Sequence, residues 1–254
     1  MASTPGRAGG AVAPYSDLAE VYDLIHADKP YAQEARQVRE LATQAAGRRG
    51  GTLLDVACGS GRHLEHFTRW YSCVGVDPSP EMLRLARQRA PRATLVRGRM
   101  ETLDLRREFD VVTCLFSAIG YVRTVAGLRR TLRRFARHTA PGGVLVLEPW
   151  IPPEAFRTGL VSHLVARSGP TTILRMDAGV RRGTLSTFDF HYLLGRPGQV
   201  EHAVERHVLG LFSRRTTESA LRDAGYSPRY YPKGLTTRRG LYVAVRSSSA
   251  RPAR

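Results

Sequence analysis

The chain has 254 residues, 42% of them hydrophobic, and carries 39 lysines and arginines against 22 aspartates and glutamates, a formal net charge of +17. That length suits one medium α/β domain with room for an inserted subdomain, and no apolar run reaches the roughly 18 residues a membrane-spanning helix needs. The charge does not carry a nucleic-acid reading: only Lys29 and Lys233 are lysines, the other 39 − 2 = 37 basic residues are arginines, and they are scattered without interleaved aromatics, a composition that GC-rich codon usage leaves behind.

Residues 1–14 are rich in Gly, Ala and Pro and lack a continuous apolar segment, so they read as a disordered leader and not a signal peptide. Residues 16–46 read as two helices: Leu18, Val21, Tyr22 and Ile25 recur at helical spacing, and a second helix runs from Tyr31 to about Ala46. The first strand is Thr52–Ala57, followed by a helix from Arg62 to Tyr71. A second strand, Cys73–Asp77, leads to a helix over Pro80–Ala90 with Ser79 as its cap. Strands three and four are Thr94–Arg97 and Phe109–Phe116, with a helix over Val125–His138. Pro141-Gly142-Gly143 turns into strand five, Val144–Glu148.

The pattern then changes. From about Ser162 to Phe212 the hydrophobic period approaches two, broken by Gly-containing turns, which predicts three or four antiparallel strands. A helix over Thr216–Ala224 stops at Gly225, and two strands, Arg229–Lys233 and Leu241–Arg246, close the sheet. The expected organisation is lid helices and an α/β core over 15–160, a β insertion over 161–213 above the ligand crevice, completion of the core sheet over 214–246, and a disordered tail over 247–254. Cys58, Cys73 and Cys114 are odd in number and lack metal spacing, so they read as buried free thiols of a reducing cytoplasm. No His/Cys/Asp cluster has ligand spacing, and no metal is expected.

The densest signal is Leu53-Leu54-Asp55-Val56-Ala57-Cys58-Gly59-Ser60-Gly61. A buried hydrophobic run ends in an acid and a Gly-x-Gly turn, and a second run ends in Asp77. In a doubly wound α/β fold this pair binds a nucleotide outside the carboxyl ends of the strands. The turn lacks the G-x-G-x-x-G form that a pyrophosphate requires, and favours S-adenosylmethionine, leaving S-adenosylhomocysteine as product. Gly59 and Gly61 let the backbone approach the methionine portion. Asp55 lies beneath the turn and organises amides near the cofactor amino group, and Asp77 accepts from both ribose hydroxyls. Met82 offers a soft contact to the adenine face, and Ala57, Pro78, Met100 and Leu115 complete the cofactor set. The bland alternative is that Asp77 only caps a helix.

With those motifs, the chain resembles the TDP-amino-sugar N,N-dimethyltransferases of macrolide and related antibiotic pathways. The likeness covers nearly everything from Tyr15 to Val245. Its matching segments are Tyr15 with Ala19–Asp23, Leu53–Phe67, Leu115–Tyr121, Glu148-Pro149-Trp150 and Arg239–Val243. It implies a class I methyltransferase fold, a Rossmann-like seven-stranded mixed sheet with an antiparallel β insertion after strand five. It also implies a cytoplasmic homodimer acting on a TDP-linked amino sugar. Relatives usually carry Gly-Asp-Met after strand three; here it is Gly98-Arg99-Met100, and Arg99 has donors only and cannot accept from the adenine amino group.

Tyr121, after strand four, and Tyr15, from the lid, are the candidates to orient the acceptor amine or relay its proton, the alternative being that they are wall residues. An alkylammonium has no lone pair and must lose a proton before it can be methylated. Tyr22 and Lys29 are placed at the cofactor carboxylate, although Lys29 also reads as a solvated lysine. Glu148 either binds substrate or holds backbone. Trp150 offers a flat face to a thymine or sugar ring, or packs in the core. Arg239 matches the family position that meets the pyrophosphate, which a planar guanidinium suits. Arg175 and Ser186 are weaker candidates for the same anion or the sugar. Among histidines, His63 and His66 read as local structure, and His191 and His207 as structural strand residues. The rival readings are a methyltransferase for another small amine, a nucleic-acid methyltransferase or binding module, and a non-catalytic protein that keeps the fold.

Overall fold

A computed structural model describes residues 18–47 and 50–248. Tyr15, the leader and residues 249–254 lie outside the described residues. The chain order begins α1 (Ala19–Ile25), α2 (Tyr31–Ala46), β1 (Thr52–Val56), α3 (Leu64–Phe67), β2 (Ser72–Asp77), α4 (Pro80–Arg89), β3 (Thr94–Arg97), β4 (Phe109–Cys114), α5 (Val125–His138) and β5 (Thr139–Leu147). It continues with β6 (Val161–Ser168), β7 (Thr171–Ala178), β8 (Val180–Arg182), β9 (Leu185–Arg196), β10 (Gln199–Gly210), α6 (Arg214–Asp223), β11 (Tyr226–Tyr231) and β12 (Leu241–Arg246).

Seven strands form one mixed sheet in the order β11-β12-β5-β4-β1-β2-β3. The pairs among β1 to β5 are parallel, and β12 and β11 are antiparallel additions. This is the α/β architecture expected of the class I methyltransferases, with the order reversing between β1 and β4. Central strands read as unbroken apolar runs because helices cover both faces: Leu53, Leu54, Val111, Val112, Leu145 and Val146 are at most 4% exposed. On one face Leu128, Leu132 and Phe135 of α5 are buried, while Arg129, Arg130 and Arg133 face water. On the other, Ala35 and Val38 of α2 meet Phe67 and Leu83. Each large side chain so buried contributes about 1.5–3 kcal/mol. Side-chain caps start three helices: Ser79 accepts from Met82 N at 3.1 Å, Thr124 from Gly127 N at 3.0 Å, and Ser213 from Thr216 N at 3.1 Å.

The structure departs most from the sequence reading in four places. The helix expected over Arg62–Tyr71 is helical only at Leu64–Phe67. Both glycines before it are left-handed, and past Phe67 the bonds tighten to Arg69 N with His66 O and Trp70 N with Phe67 O. Strand five begins at Thr139, because an irregular register between Phe109 and Val111 lets the Pro-Gly-Gly segment run alongside β4. The insertion contains five strands, β6 to β10, and not three or four. Strand β11 starts at Tyr226 and includes Pro228, whose missing donor is tolerated on an edge strand.

The second sheet runs β10-β9-β7-β6, with β8 also paired to β9. Its period-two alternation sorts side chains cleanly. Arg175 and Asp177 of β7, Ser186, Phe188, Phe190 and Tyr192 of β9, and Glu205 and His207 of β10 share the face turned to the core. Met176, Leu193 and Val200 lie on the outer face, exposed. Helix α1 packs against the inner face, where Leu18 and Val21 meet Ile173, Tyr192 and Leu194. No helix among the described residues is long and apolar enough to cross a membrane.

Candidate active site

The carboxyl ends of β1, β2 and β4 meet beneath the insertion. Strained backbone gathers there: Ala57, Phe116 and Ser117 adopt φ of 59°, 51° and 64° without being glycine. Such conformations cost about 1–3 kcal/mol each and persist only where the surroundings hold them. Phe116 N donates to Glu148 Oε2 at 2.6 Å, and Ser117 Oγ donates to Pro149 O at 2.7 Å.

The loop after β1 forms an open cradle. A Cβ built on left-handed Gly59 (φ 55°) has nothing within 4 Å, so the space above it is free for a ligand. Gly61 (φ 78°) is needed for a different reason: its Cβ would lie 3.0 Å from Ala86 of α4, so it lets the loop pack on that helix. Asp77 closes the loop by accepting from Gly59 N at 2.9 Å and Ser79 N at 3.0 Å. Each oxygen retains a lone pair for a further donor such as a ribose hydroxyl.

Asp55 lies below this cradle, 3% exposed, accepting from Thr113 Oγ1 at 2.7 Å. Burial pushes its carboxyl up to about 7; the Thr113 bond opposes the rise and the charge of Asp77 adds to it. Burial raises Asp77 too, against the two backbone donors. Among the described residues neither acid has a salt-bridge partner. Two buried carboxylates held above their usual range are a site for a cation, and a ligand carrying an ammonium and a sulfonium supplies the missing charge. The residues present therefore fit S-adenosylmethionine.

The pair also has a measurable cost. The unfolded Asp55 ionises near 3.8, but the folded one only near 7, so between those values the folded state holds more protons and loses stability as pH rises. The Asp55→Asn variant of the ligand-free protein should therefore melt above wild type at pH 8, by as much as about 4 kcal/mol of stability, with the gap closing toward pH 4. Thermal melts across that range check it. A constant gap would remove the titration of Asp55 as the cause.

The lid helices are anchored to the cradle by charge. Asp23 of α1 accepts from Ser60 Oγ and pairs with Arg62 and Arg89. Glu34 of α2 accepts from Lys29, His63 and Thr236. Burial favours its protonation, but His63 and Lys29 outweigh that and hold it at about 2. Thr237 donates to Glu148. The segment that carries Arg239 is thus tied at neighbouring threonines to α2 and to the end of β5.

Beside the cradle opens a cleft of about 320 Å³ between the two sheets. Trp150 and Phe188 meet edge to face at 5.7 Å, and Phe190 lies beside His207. Arg239 stacks over Trp150 at 4.4 Å and donates to Ser117 Oγ at 3.0 Å. Arg175 lies over Phe190 at 4.4 Å, and its Nε, 3.5 Å from Asp177 Oδ2, makes no hydrogen bond among the described residues. His26, against Tyr22 and Phe116, is lowered to about 4, first by burial and then by Arg175, Lys29 and Arg239. The field that keeps this imidazole neutral is the field an anion entering the cleft would meet.

The sequence-derived candidates are distributed unevenly. Tyr22, Tyr121, Trp150, Arg175 and Arg239 all line the cleft. Lys29, expected at the cofactor carboxylate or else solvated, is paired with Glu34 and lies over the Tyr31 and Phe116 rings. Ser186 is fully buried, accepting from Trp150 Nε1 at 2.9 Å and donating to Leu209 O at 3.2 Å, so it orients the indole. Glu148 is buried and accepts from Phe116 N and from Thr237. Met82 is 1% exposed within the core, and Leu115 and Met100 are buried. Pro78 follows Asp77 directly, and its carbonyl accepts from Arg97 Nε at 3.3 Å. Arg99 is exposed, 3.6 Å from Glu101. Sequence reasoning missed His26, Phe116, Phe188, Phe190 and the His207–Glu205 pair. The alternation Phe188-x-Phe190-x-Tyr192 was the available signal for one wall.

Comparison with known proteins accords with this geometry. The family model described as "Methyltransferase domain" matches residues 53–143. The chain is 38% identical over 249 residues to dTDP-3-amino-3,6-dideoxy-alpha-D-glucopyranose N,N-dimethyltransferase of Streptomyces fradiae, covering 96% of this chain and 97% of that protein. It is 39% identical over 234 residues to dTDP-4-amino-2,3,4,6-tetradeoxy-D-glucose N,N-dimethyltransferase of Saccharopolyspora spinosa, covering 91% and 93%. The solved structure of SAM-bound CalS10, an amino pentose methyltransferase from Micromonospora echinaspora involved in calicheamicin biosynthesis, superposes with a TM-score of 0.82 at 36% identity, covering 89% and 97%.

Proposed function

Because the chain belongs to the S-adenosylmethionine-dependent dTDP-amino-sugar N,N-dimethyltransferases, we propose that it methylates, twice, the amino group of a TDP-linked deoxy-amino sugar in antibiotic biosynthesis. The observation that carries the acceptor is the cleft itself, where flat aromatic walls stand beside two inward guanidiniums next to the donor cradle. A thymine or sugar ring suits the face of Trp150, and the pyrophosphate suits Arg239 and Arg175.

Bound at the cradle, the donor supplies a methyl group on a sulfonium, an electrophile that needs no further activation. Gly59 would admit its methionine portion, Gly61 lets that loop pack on α4, Asp55 and Asp77 would balance its charge, and Asp77 would accept from its ribose. The work left to the chain is alignment, which is worth several kcal/mol when the reacting atoms are held at near-attack distance. Arg239 and Arg175 fix the diphosphate end of the acceptor, and Trp150 is held at its angle by Ser186. Tyr22, Phe116 and His26 close the side of the cleft toward α1 and limit water.

We place the enzyme in the cytoplasm as a homodimer, with no nucleic-acid or membrane partner. The exposed apolar outer face of the second sheet, with Val161, Val165, Met176 and Leu193, supports the dimer; sedimentation of the full chain tests it. The activity itself is tested by mass spectrometry of the product from purified protein, S-adenosylmethionine and a panel of TDP-3-amino and TDP-4-amino sugars. Gains of one and then two methyl masses are expected, and no gain on any of them would overturn the reading.

A further inference from the structure

On the inner face of the second sheet, behind the acceptor candidate Tyr121, lies a buried group of titratable side chains to which no role has been given above. Tyr121 Oη is 2.6 Å from His207 Nδ1. His207 Nε2 is 3.2 Å from Glu205 Oε2, and Tyr192 Oη donates to the same oxygen at 3.2 Å. His207, Glu205 and Tyr192 are each 2% exposed, whereas Tyr121 is half-buried and lines the cleft beside Trp150. A carboxylate only accepts, so in neutral His207 the proton sits on Nε2, toward Glu205. That leaves Nδ1 bare and aimed at the Tyr121 hydroxyl.

We propose that His207, oriented by Glu205, acts through Tyr121 as the sink for the proton that the acceptor ammonium must lose before each methyl transfer. This rests on the acceptor reading given above. The ammonium N–H proton passes to Tyr121 Oη as the Tyr121 O–H proton passes to His207 Nδ1. The tyrosine therefore ends neutral, the amine gains its lone pair, and the imidazolium formed is paired with Glu205. The lone pair makes the N–C bond and the C–S bonding pair leaves with sulfur. The methylated product is again an ammonium, and it repeats the cycle for the second methyl. One proton leaves per methyl and returns to water when the cleft opens. Glu205 is the carboxylate paired with the buried imidazolium that forms; the other charged or titratable groups lining the cleft are Tyr22, His26, Tyr121, Arg157, Arg175, Asp177, Tyr192 and Arg239. Tyr121 touches the acceptor, while His207 and Glu205 act through it as positioning residues.

The test uses the full chain with an amino sugar that the wild type methylates. The His207→Asn variant should lose about 100-fold in kcat at pH 7 with little change in KM. Its dependence on pH should also change. In the wild type the neutral imidazole is the working form, so its kcat should depend on pH less steeply than that of the variant. The variant's kcat should climb about tenfold per pH unit toward the pKa of the bound amine, which alone then supplies the free base. Tyr121→Phe should show the same displaced limb, and the double variant should be no slower than either single one. In the ligand-free protein, imidazole nitrogen shifts should report His207 protonated at Nε2, and Glu205→Gln should disturb that tautomer. A kcat loss of the same factor at every pH, or an unchanged kcat, would overturn the relay. Should His207→Asn fail to fold, Tyr121→Phe, which deletes one hydroxyl, carries the pH test alone. A wild type that methylates no amino sugar would overturn the acceptor reading beneath it.

Discussion

The Asp77→Ala variant is expected to bind S-adenosylmethionine about a thousandfold more weakly, as measured by calorimetry. The estimate follows from two hydroxyl donors meeting a buried carboxylate, each charge-assisted bond contributing about 1.5–3 kcal/mol. Two further effects add to it. Gly59 N and Ser79 N, which now donate to Asp77, lose their acceptor, and the cradle loses the contact that closes it. The positive charge of the donor also loses one of its two buried partners. Asp77→Asn separates these contributions: it keeps an acceptor for one amide and removes the charge, so an intermediate loss is expected. Both variants should retain a cooperative melt, because Asp77 lies at the rim of the sheet and not among the apolar residues of its centre. Unchanged donor affinity in Asp77→Ala would show that the acid serves only as a loop clamp.

The Arg239→Ala variant should raise the KM for a TDP-amino sugar by roughly a hundredfold or more, since a bidentate guanidinium–phosphate contact is lost. Donor affinity should not move, because Arg239 stacks over Trp150 and donates to Ser117, contacts that face the acceptor cleft. Arg239→Lys should recover only part of the loss, as an ammonium keeps the charge but neither the fork nor the stack on the indole. Steady-state kinetics with both substrates varied measures this. A loss confined to kcat, with KM unaltered, would place Arg239 with the backbone strain of the Ser117 loop and not with the diphosphate.

The parts of this site that were readable in the sequence are those whose chemistry is local. Leu53–Gly61 announces a strand, an acid and two glycines within nine residues, and Asp77 lies at the end of the next strand, so the donor cradle needs no knowledge of long-range packing. Helices α4 and α5 are legible for the same reason, their caps and apolar stripes being contained in the segment. The acceptor side is different. Ser186, Trp150 and Leu209 are far apart in sequence, and only the register of β9 against β10 reveals that the serine is spent on the indole. His207 looks like any strand histidine until that register places it opposite Phe188, facing Tyr121 more than eighty residues away. Lys29 reads as a cation awaiting an anion, and its partner Glu34 sits only five residues on; what hides the pair is that the carboxylate also serves His63 and Thr236, which the fold alone brings in. Pro228 misled the start of β11 because a proline break and an edge strand look alike in one dimension.

The division into two sheets has a consequence for how such a protein changes over generations. The donor cradle is written on the parallel sheet, where a substitution disturbs a core packed from both sides. One acceptor wall is written on alternate residues of a five-stranded sheet, whose intervening residues face outward. Exchanges at Phe188, Phe190 or Arg175 can therefore alter which sugar fits without touching the strands that hold the methyl donor. Those three wall positions and the donor cradle are thus encoded in separate stretches of the same gene.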